Sequence, residues 1–236
     1  MNLEQEKYAH FALVREMMDA IHLVEEFDPA RSAAVLAAIQ KTGRLLLTGE
    51  GSSRIFPAKN AVRKALTLGL DLAVATEGSR QAAGYDLSRY AVFCASNSGK
   101  TREVILLAQK LAAEGNPNRF ALCAHHGTPL EQTCVRTFVL NCGGEKAVAA
   151  TKSVVEQALF YDSLLWQMGS APQAGWQRKL ADAMRTALTM PIDPAIIAAA
   201  AKAPTIYFAG YNDGVAEELT LKTNEITRKK SDFLEG

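Results

Sequence analysis

The sequence predicts an α/β protein: a five-stranded parallel sheet with helices on both faces, in three layers. Two observations carry this. Five short, nearly continuous apolar runs punctuate the first two thirds of the chain: Leu45-Leu46-Leu47, Leu72-Ala73-Val74, Ala91-Val92-Phe93-Cys94, Phe120-Ala121-Leu122-Cys123 and Phe138-Val139-Leu140. Strands buried on both faces have this texture, and a parallel sheet with helical crossovers is what buries both faces. Between the runs lie helix candidates at about 53–68 and 101–114, with shorter ones at 79–84 and 128–133.

The flanks are helical. Residues 1–42 read as a helical segment, with Phe11, Val14, Met18, Ile21 and Val24 recurring every three or four positions, and a second helix is expected after Asp28-Pro29. The first α/β unit then spans 43–170 and closes with a long helix at about 148–169, broken by Gly169-Ser170-Ala171-Pro172. A helical connection follows at 171–203. From 204 to 236 the run Thr205-Ile206-Tyr207-Phe208-Ala209-Gly210 repeats the opening strand and glycine turn of Leu45-Leu46-Leu47-Thr48-Gly49. Each copy has a further glycine soon after, at Gly51 and Gly214, so a second unit is expected to begin here and to be cut short at Gly236.

Composition limits the partners. With 26 Lys and Arg against 25 Asp and Glu, no global field attracts nucleic acid or an acidic membrane, so an anionic ligand must be caught by one loop. Cys94, Cys123, Cys134 and Cys142 form no CxxC pair and read as reduced core thiols, with no metal site expected. The N-terminus lacks the layout of a signal peptide, and the apolar stretch 195–201 between Pro194 and Pro204 is too short to span a bilayer. A cytoplasmic location is expected, without membrane or nucleic-acid partners.

Three loops fall beyond the carboxyl ends of the predicted strands, where such sheets bind ligands. The first is Gly49-Glu50-Gly51-Ser52-Ser53. The second, Ser96-Asn97-Ser98-Gly99-Lys100-Thr101, joins three hydroxyls, an amide and an ammonium to the start of a helix, where unpaired N–H groups favour an anion. The third is Ala150-Thr151-Lys152-Ser153, preceded by Gly143-Gly144-Glu145. For each loop, helix capping is the competing reading, since Ser and Thr are preferred caps. Gly99-Lys100-Thr101 does not complete a Walker A loop, because position 94 is Cys, and Arg54 stands where GxGxxG needs its third glycine. Neither nucleotide nor other cofactor is expected. Lys222 and Glu225, three apart on the last predicted helix, share a helix face, so the carboxylate has an ammonium neighbour; a surface ion pair is the commonest meaning of this spacing. His125-His126 follows the fourth run and reads as a loop pair, with a base or a metal ligand as the alternative and no third ligand at suitable spacing.

Taken together, Gly-x-Gly-Ser-Ser, then Ala-Ser-Asn-Ser-Gly-Lys-Thr-x-Glu, then Glu145-x-x-Val-Ala-Ala-Thr-Lys152 resemble the sugar isomerase (SIS) domain family over about residues 10–236. The pattern is closest to the isomerase half of glucosamine-6-phosphate synthase and to stand-alone phosphosugar isomerases and deglycases. The resemblance implies a flavodoxin-like fold and a sugar-phosphate ligand. It places Ser53, Ser96, Asn97, Ser98 and Thr101 on the phosphate, and Ser52, Val148 and Ala150 along the sugar. Glu225 matches the glutamate that moves a proton between C1 and C2, with Lys222 beside it. An aldose–ketose isomerase or a related deaminase or deglycase is implied, and a sugar-phosphate sensor is the alternative. A homodimer is expected. The family's His-Gly-Pro segment and C-terminal lysine do not follow Glu225 within these residues, which leaves the sensor reading open.

Overall fold

The computed structural model describes residues 5–169 and 171–236. Its centre is a five-stranded sheet of β1 (Arg44–Gly49), β2 (Ala73–Gly78), β3 (Ala91–Ala95), β4 (Arg119–Cys123) and β5 (Arg136–Val139), in the order β2-β1-β3-β4-β5. Every pairing is parallel, with Leu47 opposite Phe93 and Phe93 opposite Phe120.

The strand residues divide by parity. Leu45 and Leu47 of β1, Phe93 of β3, and Phe120 and Leu122 of β4 enter one core, whereas Leu46, Val92, Cys94 and Ala121 enter a second core on the opposite face. Alternate side chains leave a strand in opposite directions, so a run apolar at every position supplies two cores at once. The thinner face is covered by α5 (Ser79–Ala82), α6 (Arg102–Ala113) and α7 (Pro129–Thr133), through Ala82, Val104, Leu107, Leu111 and Leu130. The thicker face carries α2 (Ala12–Glu25), α3 (Leu36–Thr42), α4 (Ile55–Thr67) and α8 (Lys152–Met168). A short α1 (Glu6–Ala9) precedes them, and α9 (Trp176–Thr189) packs on α2. Phe93, Phe138, Phe160 and Tyr161 stack at the centre, with Phe138 and Phe160 ring centroids 4.7 Å apart.

α8 is buried on nearly every side, and its polar residues tie distant segments together. Glu156 accepts hydrogen bonds from Arg31 (3.0 Å) and from the backbone N–H groups of Asn141 and Cys142. Gln157 donates to the Ser53 carbonyl at 2.6 Å, and Ser163 donates to Ser32. A buried helix can keep such residues because each has a partner.

Several expectations need correction. Phe11 is not part of the buried stripe: it precedes α2 and is 57% exposed, whereas Val14, Ile21 and Val24 are buried. The segment after Asp28-Pro29 is a 3-10 turn, Pro29–Val35, and only then α3. β2 starts one residue after Leu72 and runs to Gly78, and as an edge strand it is exposed or half-buried along its length. α8 starts at Lys152, four residues later than the periodicity predicts.

Beyond α9 come α10 (Pro194–Lys202), β6 (Thr205–Gly210), α11 (Val215–Thr227) and β7 (Lys230–Glu235). β6 and β7 form a separate two-stranded parallel sheet. β7 is absent from the sequence reading because Lys230-Ser231-Asp232-Phe233-Leu234-Glu235 shows neither an apolar run nor alternation. The Gly214 turn seats α11 on α4. With φ +82°, a Cβ there would lie 2.6 Å from the Ile55 carbonyl oxygen and 2.8 Å from the Phe56 Cα, so only glycine fits. Lys59 on α4 bridges Glu217 of α11 and Glu235 of β7. Among the described residues no helix is long and apolar enough to cross a membrane.

Candidate functional site

Strands β1 and β3 end beside each other, and the loops that leave them define the site. The Gly51–Ser53 turn folds back so tightly that a Cβ on Gly49 would lie 2.9 Å from the Ala95 carbonyl oxygen and 3.0 Å from that of Ser53. Gln157 of α8 holds the same Ser53 carbonyl from the other side.

From β3 the chain enters the 96–101 loop and then α6. Ser96 is 2% exposed, and its hydroxyl lies 2.7 Å from that of Thr101. Gly99 has φ +61°, and a Cβ would meet the Thr128 side chain at 2.5 Å, so both the turn and the packing require glycine. Ser98 is exposed and accepts from the Lys100 N–H at 3.2 Å. Thr101 is the N-cap residue of α6 but makes no side-chain cap hydrogen bond. Capping therefore does not account for these hydroxyls. Elsewhere the same chemistry does cap: Thr128 accepts from Glu131 N–H, and Asp193 from Ala195 N–H. The α6 N-terminus thus presents N–H groups without a capping partner among the described residues, and partial positive charge, amid three hydroxyls, an arrangement suited to phosphate oxygens.

The third loop behaves differently. Glu145, six residues before Thr151, places its carboxylate at the start of α8. It accepts from the Thr151 N–H (2.7 Å) and hydroxyl (2.9 Å), the Ser153 hydroxyl (2.5 Å) and the Asn97 amide (2.9 Å). Burial pushes the Glu145 carboxyl upward, but the hydrogen bonds from Ser153 and Thr151 outweigh it and hold it below the ordinary glutamate value. Two more carboxylates pin the same irregular segment: Glu16 accepts from the Lys146 and Ala147 N–H groups, and Glu156 from those of Asn141 and Cys142. Five backbone donors of this segment, those of Asn141, Cys142, Lys146, Ala147 and Thr151, are thereby satisfied without regular structure. The sequence reading places Glu145 in the pattern but gives it no role, and it omits Gln157. A glutamine or glutamate on an otherwise apolar helix was the available signal for Gln157 and Glu156.

α11 closes the far side. Lys222 Nζ lies 2.7 Å from Ser52 Oγ, 2.8 Å from Glu225 Oε2 and 3.3 Å from Glu218 Oε1. Its side chain is 17% exposed and contacts a loop 170 residues away, which removes the simple surface-pair reading. The Glu225 side chain is 35% exposed, and its Oε1 has no hydrogen-bond partner among the described residues. Glu218 is buried, and neither carboxylate oxygen has a hydrogen-bond partner among the described residues, so Lys222 is its compensating charge.

A path of hydrogen bonds and chain connections thus joins Asn97 through Glu145 to the start of α8, Gln157 further along α8 to Ser53, and the adjacent Ser52 to Lys222 and Glu225. Ala150, Thr151 and Lys222 share the wall of an apolar cavity of about 380 Å³. Val148 is 92% exposed. His125 is exposed, and His126 pairs with Glu131 at 3.3 Å, outside this path.

A sequence model of the SIS domain matches residues 38–166. Among solved structures, a Silicibacter pomeroyi protein described as a candidate phosphosugar isomerase superposes with a TM-score of 0.78 at 22% identity, covering 95% of this chain and 71% of that one. The C-terminal domain of glucosamine-fructose-6-phosphate aminotransferase from Francisella tularensis gives 0.70 at 14% identity, covering 98% and 71%. The Vibrio vulnificus NanR protein complexed with ManNAc-6P gives 0.52 at 15% identity, covering 75% and 68%. No curated protein sequence matches significantly. The domain match extends over more than half the chain, from α3 through β1 to β5 into α8, and the same fold recurs in these structures: the chain belongs to the SIS domain family.

Proposed function

We propose that the protein binds a phosphorylated sugar and acts as an aldose–ketose isomerase or a related deaminase or deglycase. The phosphate sits at the N-terminus of α6, among Ser96, Ser98 and Thr101, with Ser53 completing the cradle from the β1 side. The sugar extends past Ser52 and Ala150 towards α11. The observation that carries this reading is the uncapped α6 terminus, surrounded by hydroxyls that no cap requires.

At the other end, Oε1 of Glu225 removes a proton from the carbon next to the carbonyl and returns it to the neighbouring carbon, through an enediol-type intermediate. Lys222, held between Ser52, Glu218 and Glu225, fixes the orientation of that carboxylate and offers positive charge to the developing oxyanion. Anchoring the phosphate at a distance converts binding energy into position. Glu225→Gln is expected to lower turnover of a good sugar-phosphate substrate by about 10²–10⁴-fold with little change in binding. Unchanged turnover would remove Glu225 from the mechanism.

A second reading is a sugar-phosphate sensor, supported by the likeness to a protein solved with ManNAc-6P. Tight calorimetric binding of a sugar phosphate without turnover of any member of a hexose and pentose phosphate panel would favour it.

A further inference from the structure

We infer that the apolar cavity beside Lys222 takes an apolar substituent carried on the reacting end of the sugar. The substrate is then a ketose phosphate joined through an amine at C1 to an aliphatic or aromatic group; this rests on the phosphosugar reading above and selects deglycation from it. The cavity measures about 380 Å³ and lies between α2, α9 and α11, against residues 149–151. That volume is in the range of small-molecule sites. Met17 of α2, Met184 of α9, and Leu219 and Ile226 of α11 contribute to its walls. Among its described lining residues only Thr151 and Lys222 have polar side chains, and both are engaged elsewhere. The Thr151 hydroxyl donates to Glu145 at 2.9 Å, and Lys222 Nζ lies 2.7 Å from Ser52 Oγ and 2.8 Å from Glu225 Oε2. What Lys222 adds to the wall is its methylene stem.

Position ties the cavity to the chemistry. Leu219, Lys222 and Ile226 stand three and four apart on one face of α11, and Ile226 directly follows Glu225. Leu219 is 45% and Ile226 48% exposed, so large apolar side chains lie uncovered next to the proposed base. A plain aldose or ketose phosphate bears an oxygen on every carbon and leaves such walls wet. An apolar amine substituent takes them out of water, which raises affinity about fourfold per buried methylene. The two methionines are unbranched and flexible, and so suit groups of differing shape. In the reaction Glu225 carries a proton from C1 of the ketoamine to C2, while the amine proton passes to O2, giving an imine between C1 and the nitrogen. Water then adds to C1, its proton goes to the nitrogen, and the C1–N bond breaks to release the aldose phosphate and the free amine.

The test measures calorimetric affinity on the full chain for fructose 6-phosphate and for its 1-amino-1-deoxy derivatives bearing N-methyl or N-isoamyl groups. Release of the free amine is followed separately. The isoamyl adduct is expected to bind about 100-fold more tightly than the methyl adduct, and to release isoamylamine. Met184→Asn, which sets an amide in the wall, is expected to weaken the isoamyl adduct about tenfold more than fructose 6-phosphate. Ala187→Phe, at an exposed position on α9 that also lines the cavity, should do the same by filling it, and serves if the first variant does not fold. Equal affinity for the two adducts overturns the inference, as does a variant that weakens the isoamyl adduct and fructose 6-phosphate alike. A dimer in sedimentation that Ala187→Phe dissociates, with no gain from the isoamyl group, would give the cavity to a second copy and also overturn it. Tight binding of the isoamyl adduct without release of amine overturns the deglycation step. Wild-type protein that binds no sugar phosphate would instead bring down the phosphosugar reading itself, a distinguishable failure.

Discussion

The N-termini of α6 and α8 are two versions of one feature with opposite fates. Both start in Ser- and Thr-rich loops, and neither N-cap residue caps its helix with its own side chain. At α8 the positive end is already occupied: Glu145 delivers a carboxylate to the Thr151 N–H and the hydroxyls of Thr151 and Ser153. At α6 no carboxylate among the described residues accepts from the helix start, and the nearby hydroxyls of Ser96 and Thr101 pair with each other. The protein supplies its own anion to one helix, and in the proposed reading a ligand supplies it to the other. Composition alone could not separate them, because both loops carry hydroxyls and a lysine.

The sharpest way to break this contrast is to give α6 an internal anion too. Ser96→Asp is expected to lower sugar-phosphate affinity by about 100-fold or more, since it sets like charge against the phosphate in a half-buried site; calorimetry checks this. Gly99→Ala should come next, forcing a side chain into a left-handed turn and against Thr128. A loss of about 1–3 kcal/mol in denaturant stability, together with weakened binding, is the expected outcome.

The α8 end should respond in stability. Glu145→Gln is expected to cost about 2 kcal/mol near neutral pH, because it removes charge-assisted hydrogen bonds. The pH dependence has a definite sign. The Glu145 carboxyl lies below its ordinary value of 4.5 in the folded protein, so its contribution is full above 4.5 and is lost as pH falls through the lower folded value. Urea midpoints of wild type and variant should therefore converge below pH 4.5; a constant gap would contradict the assignment. The smallest expected effect is that of Thr151→Ala, about 1 kcal/mol of stability, with binding of inorganic phosphate unchanged.

Much of the α/β unit was legible because its signals are local. Leu45-Leu46-Leu47 and Ala91-Val92-Phe93-Cys94 are apolar at every position, which marks strands covered on both faces, and they form the sheet's interior. The hydroxyl-rich loop after β3 could be located for the same reason. β7 escaped because a two-residue apolar core, Phe233-Leu234, carries no period, and its strand character depends on β6 beside it. Phe11 misled because helical spacing does not say where a helix begins. The late start of α8 has a similar cause: residues 148–151 fit a helical pattern, but the Glu145 carboxylate takes the Thr151 N–H, and Glu16 and Glu156 take those of Ala147 and Asn141 in the irregular segment before it.

Strand identity, layer count and the position of an anion-friendly loop follow from neighbours along the chain, whose periodicity and turn chemistry are written in consecutive residues. The choice between two similar helix ends does not. It depends on where Glu145 lies after β5 turns back, on Asn97 arriving from β3, and on Lys222 crossing from α11 to Ser52. Those meetings join residues 48 and 170 positions apart, so they exist only once the sheet has set which loops share an edge. Local chemistry supplied the donors and acceptors; packing decided which were satisfied internally.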